Sequence, residues 1–203
     1  MMVIGITGGI GSGKSIVCTL FQSFGVPVYE ADVEAKKMYD LPVVISEVKN
    51  AFGEKYFSAS GELDRKKFAE FVFNDEAALK KINSIIHPHV KKNFRDWKKL
   101  HNESPYVLKE AAILFESGTD KGCDKIITVT APAALRIQRV LERDKRSKAQ
   151  IEKIIQKQWS DEEKIKRSDF VIVNDETKLV LPQVLRIHEM LLKQNDKSIQ
   201  ELG

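Results

Sequence analysis

The run Gly8-Gly9-Ile10-Gly11-Ser12-Gly13-Lys14-Ser15 satisfies every fixed position of G-x-x-x-x-G-K-[ST], and no other feature constrains the fold as tightly. Such a loop needs one context, a buried strand before it and a helix start after it. Its glycines let successive backbone N–H groups turn toward one phosphate and keep side chains away. The helix adds its N-terminal partial positive charge at the same spot. Both flanks fit. Met2-Val3-Ile4-Gly5-Ile6-Thr7 is a β-branched run of the kind that makes a buried parallel strand. From Lys14 the spacing turns helical, with Val17, Leu20, Phe21 and Phe24 on one face and Gly25 as a stop. Lys14 is then placed to reach the β- and γ-phosphates of a nucleotide, and the Ser15 hydroxyl to ligate Mg²⁺.

Further along, strand-like and helix-like segments alternate. Val26-Pro27-Val28-Tyr29 reads as a second strand, followed at once by Asp32 and a helix over 33–39. Residues 43–104 are mostly helical in pattern and rich in Lys and Phe, with helices predicted over 65–72, 76–86 and 89–99 and an interruption at His87-Pro88. Strands are predicted at 106–108, 125–129 and 170–173, and helices over 133–144, 148–158, 161–167 and 177–193. Strands alternating with helices at this spacing imply α/β: a P-loop NTPase-type parallel sheet flanked by helices. The expected organisation is one domain over 1–203. Its core is about 1–42, 105–135 and 168–194, with a helical insertion over about 43–104 and a helical lid over about 136–167. Only 194–203 suggest lack of order.

A phosphoryl transfer to a hydroxyl needs an acceptor for the hydroxyl proton and cations opposite the loop. Asp32, at the C-terminal end of the second strand, stands where doubly wound sheets bind ligands. A plain helix cap is the other reading of that position, and Glu30 and Glu34 are nearby rivals. Arg136, Arg139 and Arg143 fall at i, i+3 and i+7, one helix face that could close over a nucleotide or simply face solvent. His87 before Pro88 suits a structural turn.

Composition closes off several classes. Lys plus Arg number 33 against 29 Asp plus Glu, a formal net charge of +4, which suits anionic phosphates but not a nucleic-acid coat. The two cysteines, Cys18 and Cys123, lack any CxxC or Cys/His spacing, so a zinc site or disulfide framework is not expected and a reducing compartment is. The start of the chain lacks a signal-peptide pattern, and no run approaches the roughly twenty apolar residues of a membrane span. A cytoplasmic protein without nucleic-acid or membrane partners is expected.

Taken together, the residues resemble the dephospho-coenzyme A kinases over nearly the whole chain. Ile6-Thr7 with the loop through Ser15 is similar to that family's phosphate loop, and Glu30-Ala31-Asp32 to its Asp-Ala-Asp segment. Gly61-Glu62-Leu63-Asp64-Arg65, Val72-Phe73, Ile86-His87-Pro88 and Ile113-Leu114-Phe115-Glu116 follow in the family's order. Arg139-x-x-x-Arg143-Asp144 is similar to its lid, and Asp169-Phe170-Val171-Ile172-Val173-Asn174 to its last strand. The resemblance implies transfer of the ATP γ-phosphoryl group to the ribose 3′-hydroxyl of dephospho-coenzyme A, and a monomer is expected. It implies catalytic roles for Asp32, Lys14, Arg139 and Arg143, with Gly8, Gly9, Ile10, Gly11, Ser12, Gly13, Lys14, Ser15 and Ile16 holding the nucleotide. Ser15 would ligate Mg²⁺, and Asp32, Lys36, Arg65 and His87 would form the acceptor side.

Departures from the pattern are few. Glu30 replaces an Asp, Lys36 a commoner Arg with its forked donors, Ala112 a Pro and Ile16 a Thr. A different small-molecule P-loop kinase would share the loop and the arginines but not the His-Pro and Leu-Phe-Glu segments. A nucleotide switch would carry Asp-x-x-Gly or Asn-Lys-x-Asp segments, and neither is found.

Overall fold

The computed structural model describes the backbone of residues 1–200 and side chains as far as 194. The expected lack of order over 194–203 therefore falls mostly outside the described side chains, and 201–203 lie outside the described residues. Two compact units are present, one formed by residues 1–30 with those from 101 onward, the other by Ala31–Leu100.

The first unit holds five strands in one sheet: β1 (Met2–Thr7), β2 (Val28–Glu30), β3 (Tyr106–Glu110), β4 (Lys125–Thr130) and β5 (Phe170–Val173). Their order is β2-β3-β1-β4-β5 and every pairing is parallel. Central β1 has Ile4, Ile6 and Thr7 fully buried, which is why it reads as an unbroken apolar run and not an alternating one. The register sets Ile6 beside Glu110 on one side and Ile127 on the other. The C-terminal ends of β1 and β3 therefore meet at the point where the chain's order along the sheet switches.

Helix α1 (Lys14–Ser23) buries Val17, Cys18 and Phe21 against this sheet, joined by Val184, Ile187 and Leu191 of the last helix, Val180–Gln200. Residue spacing of three and four puts these side chains on single stripes. No helix among the described residues is long and apolar enough to cross a membrane.

The second unit consists of α2 (Ala31–Met38), α3 (Pro42–Phe52), α4 (Arg65–Asn74) and α5 (Glu76–Lys99). Asp64 and Asp75 cap α4 and α5, accepting from Lys67 N at 3.0 Å and Ala78 N at 2.9 Å, and each such cap contributes about 1 kcal/mol. The core gathers Met38, Val44, Val48, Tyr56, Phe68, Val72, Ile82 and Ile86. Phe52, Tyr56, Phe68 and Phe71 form an aromatic cluster with ring centroids 5.1–6.4 Å apart.

One expectation fails here. α5 runs straight through His87-Pro88 instead of breaking there. An internal proline removes a hydrogen bond and costs about 3 kcal/mol. The apolar stripe Ala78, Ile82 and Ile86 continues to Val90, which packs on the same cluster, so burial on both sides of Pro88 holds the helix together.

Candidate active site

The phosphate loop leaves β1 at Thr7 and enters α1 at Lys14. Gly13 takes the helix N-cap with φ 95°, left-handed backbone that suits glycine, and a side chain there would run into Asn174. A side chain at Gly9 would overlap the Arg136 guanidinium. Sequence pattern alone marks these as glycines, and the packing shows what each leaves room for.

Gly11, Gly13, Lys14, Ser15 and Ile16 line a cavity of about 530 Å³, which Glu30, Glu110, Arg139 and Arg143 also line. Gly8, Gly9, Ile10 and Ser12 are not among its lining residues. Lys14 Nζ donates to Gly8 O at 3.0 Å, curling back over its own loop, and lies 3.7 Å from Glu110 Oε1. Cation and carboxylate sit close together at the C-terminal edge of the sheet, both largely buried.

Burial, with Glu110 and then Glu30 adding repulsion, pushes the Cys18 thiol from about 9 up to about 12. Cys18 is therefore an inert neutral side chain one turn below Lys14.

The arginines separate. Arg136 is buried and pairs with Asp161 at 3.2 Å, while Asp161 also accepts from Thr130 Oγ1 at 2.5 Å. Its Nε and the Ser12 hydroxyl are buried without hydrogen-bond partners. Arg139 donates to Asn174 O at 3.1 Å and pairs with Glu176 at 3.1 Å. Arg143 is the most exposed of the three and pairs with Asp144 at 2.9 Å, which holds the Asp144 carboxyl below its ordinary range. Helix α6 (Ala133–Arg143) thus turns one arginine under the loop and two along the cavity.

The Leu114-Phe115-Glu116 segment has a structural task. Glu116 Oε1 pairs with fully buried Lys164 at 3.0 Å and accepts from Trp159 N at 2.8 Å, and Phe115 stacks on Trp159 with planes 3° apart. These contacts fasten α7 (Lys148–Lys157) and α8 (Asp161–Lys166) to the sheet.

Asp32, Lys36, Arg65 and His87 all belong to the second unit. Asp32 and Lys36 stand one turn apart on α2, both exposed, and α2 begins at Ala31, so Asp32 lies inside its first turn. Arg65 donates to Lys36 O at 3.3 Å and pairs with Asp40. His87 is exposed on α5.

The sequence model of the dephospho-CoA kinases matches residues 2–179. The chain belongs to the dephospho-CoA kinase family. It is 45% identical over 186 residues to a dephospho-CoA kinase of Bacteroides fragilis, covering 91% of this chain and 90% of that protein. Its fold matches TT1252 from Thermus thermophilus with TM-score 0.82 and 33% identity, covering 95% of this chain and 97% of that one. It also matches the dephospho-CoA kinase from Campylobacter jejuni with TM-score 0.69 and 25% identity, covering 95% and 98%.

Three residues at this family member's loop were not marked by sequence reasoning as site residues. Glu110 closes the run Tyr106-Val107-Leu108-Lys109-Glu110, and an acidic residue ending an apolar strand was the signal available. Asn174, noted only as the end of the last strand, donates from Nδ2 to Ser12 O at 2.9 Å. Gln158 accepts from Ile10 N at 2.9 Å, and no local pattern pointed to it.

Proposed function

We propose that this chain transfers the γ-phosphoryl group of ATP to the ribose 3′-hydroxyl of dephospho-coenzyme A, giving coenzyme A. The observation that carries the reading is the family match over residues 2–179, joined to a cavity where Lys14, Ser15 and Glu110 face Arg139 and Arg143. Lys14 neutralises charge on the β- and γ-phosphates, and Arg139 and Arg143 do so from the lid side as charge spreads over the transferring group.

The Ser15 hydroxyl with the Glu110 and Glu30 carboxylates is an all-oxygen donor set that suits Mg²⁺, which binds through one or two protein groups plus substrate phosphates. When bound, Mg²⁺ would supply charge neutralisation to the nucleotide phosphates. Asp32 is assigned as acceptor of the hydroxyl proton. Its support is its place two residues beyond β2 and the resemblance of Glu30-Ala31-Asp32 to the family segment. The unit 31–100, with Lys36, Arg65 and His87, is assigned to the acceptor. The mild charge of +4 suits two phosphorylated small molecules, and we assign a monomeric cytoplasmic enzyme.

A steady-state acceptor panel tests this. Dephospho-coenzyme A should exceed any nucleoside monophosphate in kcat/KM by several orders of magnitude. A nucleoside monophosphate phosphorylated faster would overturn the assignment.

A further inference from the structure

Several contacts from outside α1 tie the phosphate loop to its surroundings, and three of them differ in kind. Asn174 holds Ser12 O from the end of β5, and Arg136 fills the space beside Gly9 from α6. The third tie is of another kind. Gln158, in the turn between α7 and α8, presents Oε1 to Ile10 N–H at 2.9 Å across 148 residues of sequence. Ile10 lies at the outer bend of the loop, with Gly9 before it and Gly11 after it. Ser12 N–H holds the carbonyl side of the Gly9–Ile10 peptide at 3.1 Å, Gly9 leaves its flank permissive, and Gln158 holds the amide side.

The support behind Gln158 is rigid. Its neighbour Trp159 donates its backbone N–H to Glu116, Asp161 pairs with Arg136, and Lys164 is buried against Glu116. A side chain held in this way adds a second fixed point to the peptide whose carbonyl Ser12 N–H already holds.

We propose that Gln158 is a positioning residue for phosphoryl transfer. It clamps the Ile10 peptide so that the loop keeps the one shape in which Gly11, Gly13, Lys14 and Ser15 together fit the nucleotide phosphates. The proposal rests on the loop being the nucleotide site. It requires the acceptor oxygen of Gln158, not its bulk, and it concerns the nucleotide half of the reaction only.

Two variants of the full chain separate these points. Gln158→Met keeps length and packing but removes the acceptor, and Gln158→Glu restores an acceptor oxygen. Calorimetric binding of a non-hydrolysable ATP analogue without acceptor is measured beside KM for both substrates. Loss of one backbone tie predicts about three- to tenfold weaker analogue binding and a matching rise in KM for ATP in Gln158→Met. KM for the acceptor should stay within about twofold, and Gln158→Glu should bind the analogue within about twofold of the parent. Unchanged analogue affinity in Gln158→Met, whatever happens to its melting temperature, would overturn the proposal, as would equal losses in both variants. A parent protein that binds no analogue would instead overturn the assignment of the loop itself.

Discussion

Glu116→Gln strands a buried charge, and the structure says how much that should cost. Lys164 is fully buried, and its ammonium lies 3.0 Å from Glu116 Oε1. Its other contact, to Ala112 O, is 3.4 Å, long for a hydrogen bond and unable to replace a carboxylate. The amide keeps the shape of Glu116 and the acceptor that receives Trp159 N–H at 2.8 Å, so the substitution changes charge more than packing. Removing one side of a buried ion pair costs about 3–5 kcal/mol. In a chain of this size about 1 kcal/mol moves Tm by about 2–4 °C, so a fall on the order of 6–20 °C is expected. Urea unfolding followed by fluorescence is a direct assay, because Trp159 stacks on Phe115 at 5.8 Å in the same cluster. Adding Lys164→Met removes the stranded ammonium, and the double variant should recover about 2 kcal/mol or more over Glu116→Gln alone. A single-variant cost under about 1 kcal/mol, or a double variant no more stable than the single, would mean that Glu116 does not neutralise Lys164.

Three further outcomes follow from the site. Lys14→Ala should lower kcat by about a thousandfold or more while circular dichroism stays native, as the role proposed for Lys14 at the transferring group requires. Asp32→Asn should lower kcat by about a hundredfold or more with little change in acceptor KM, and equal losses in Glu30→Gln would remove the assigned role. Burial raises the Cys18 thiol to about 12, so its contribution to stability is fully present below about pH 9 and is lost as pH rises toward 12. The fall should reach about 1.4 kcal/mol per pH unit from that group, and Cys18→Ala should flatten the alkaline limb measured by denaturant titration.

What could be read from the sequence was whatever is local. The loop needs only eight consecutive residues and a change from strand to helix spacing, so its position and flanks were plain from the residues alone. The parallel α/β architecture followed from the alternation of segments around it. The arginine spacing was also legible as one helix face, but spacing does not report burial. Arg136, with 9% of its side chain exposed, sits under the loop, whereas Arg143 is 61% exposed and pairs with its own neighbour. Pro88 misled because proline's local rule is real. Only the packing of Ile82, Ile86 and Val90 shows why a helix tolerates it. Gln158 and Asn174 could not be found from pattern, since each meets its partner across about 150 residues and no periodicity records that contact. Glu110 lay between these cases. A carboxylate at the end of an apolar strand is visible in sequence, but its pairing with Lys14 depends on β3 lying next to β1.

Central to the account is the chemical identity of the transfer: one phosphoryl group, from the γ position of ATP to one hydroxyl. Incubation with γ-labelled ATP and dephospho-coenzyme A, with the product resolved by mass and phosphorus NMR, measures this directly. Label is expected in a single product, on the ribose 3′-oxygen, formed at the rate at which ATP is consumed. Label on any other oxygen, or ATP consumed at the same rate with dephospho-coenzyme A left out, would contradict it.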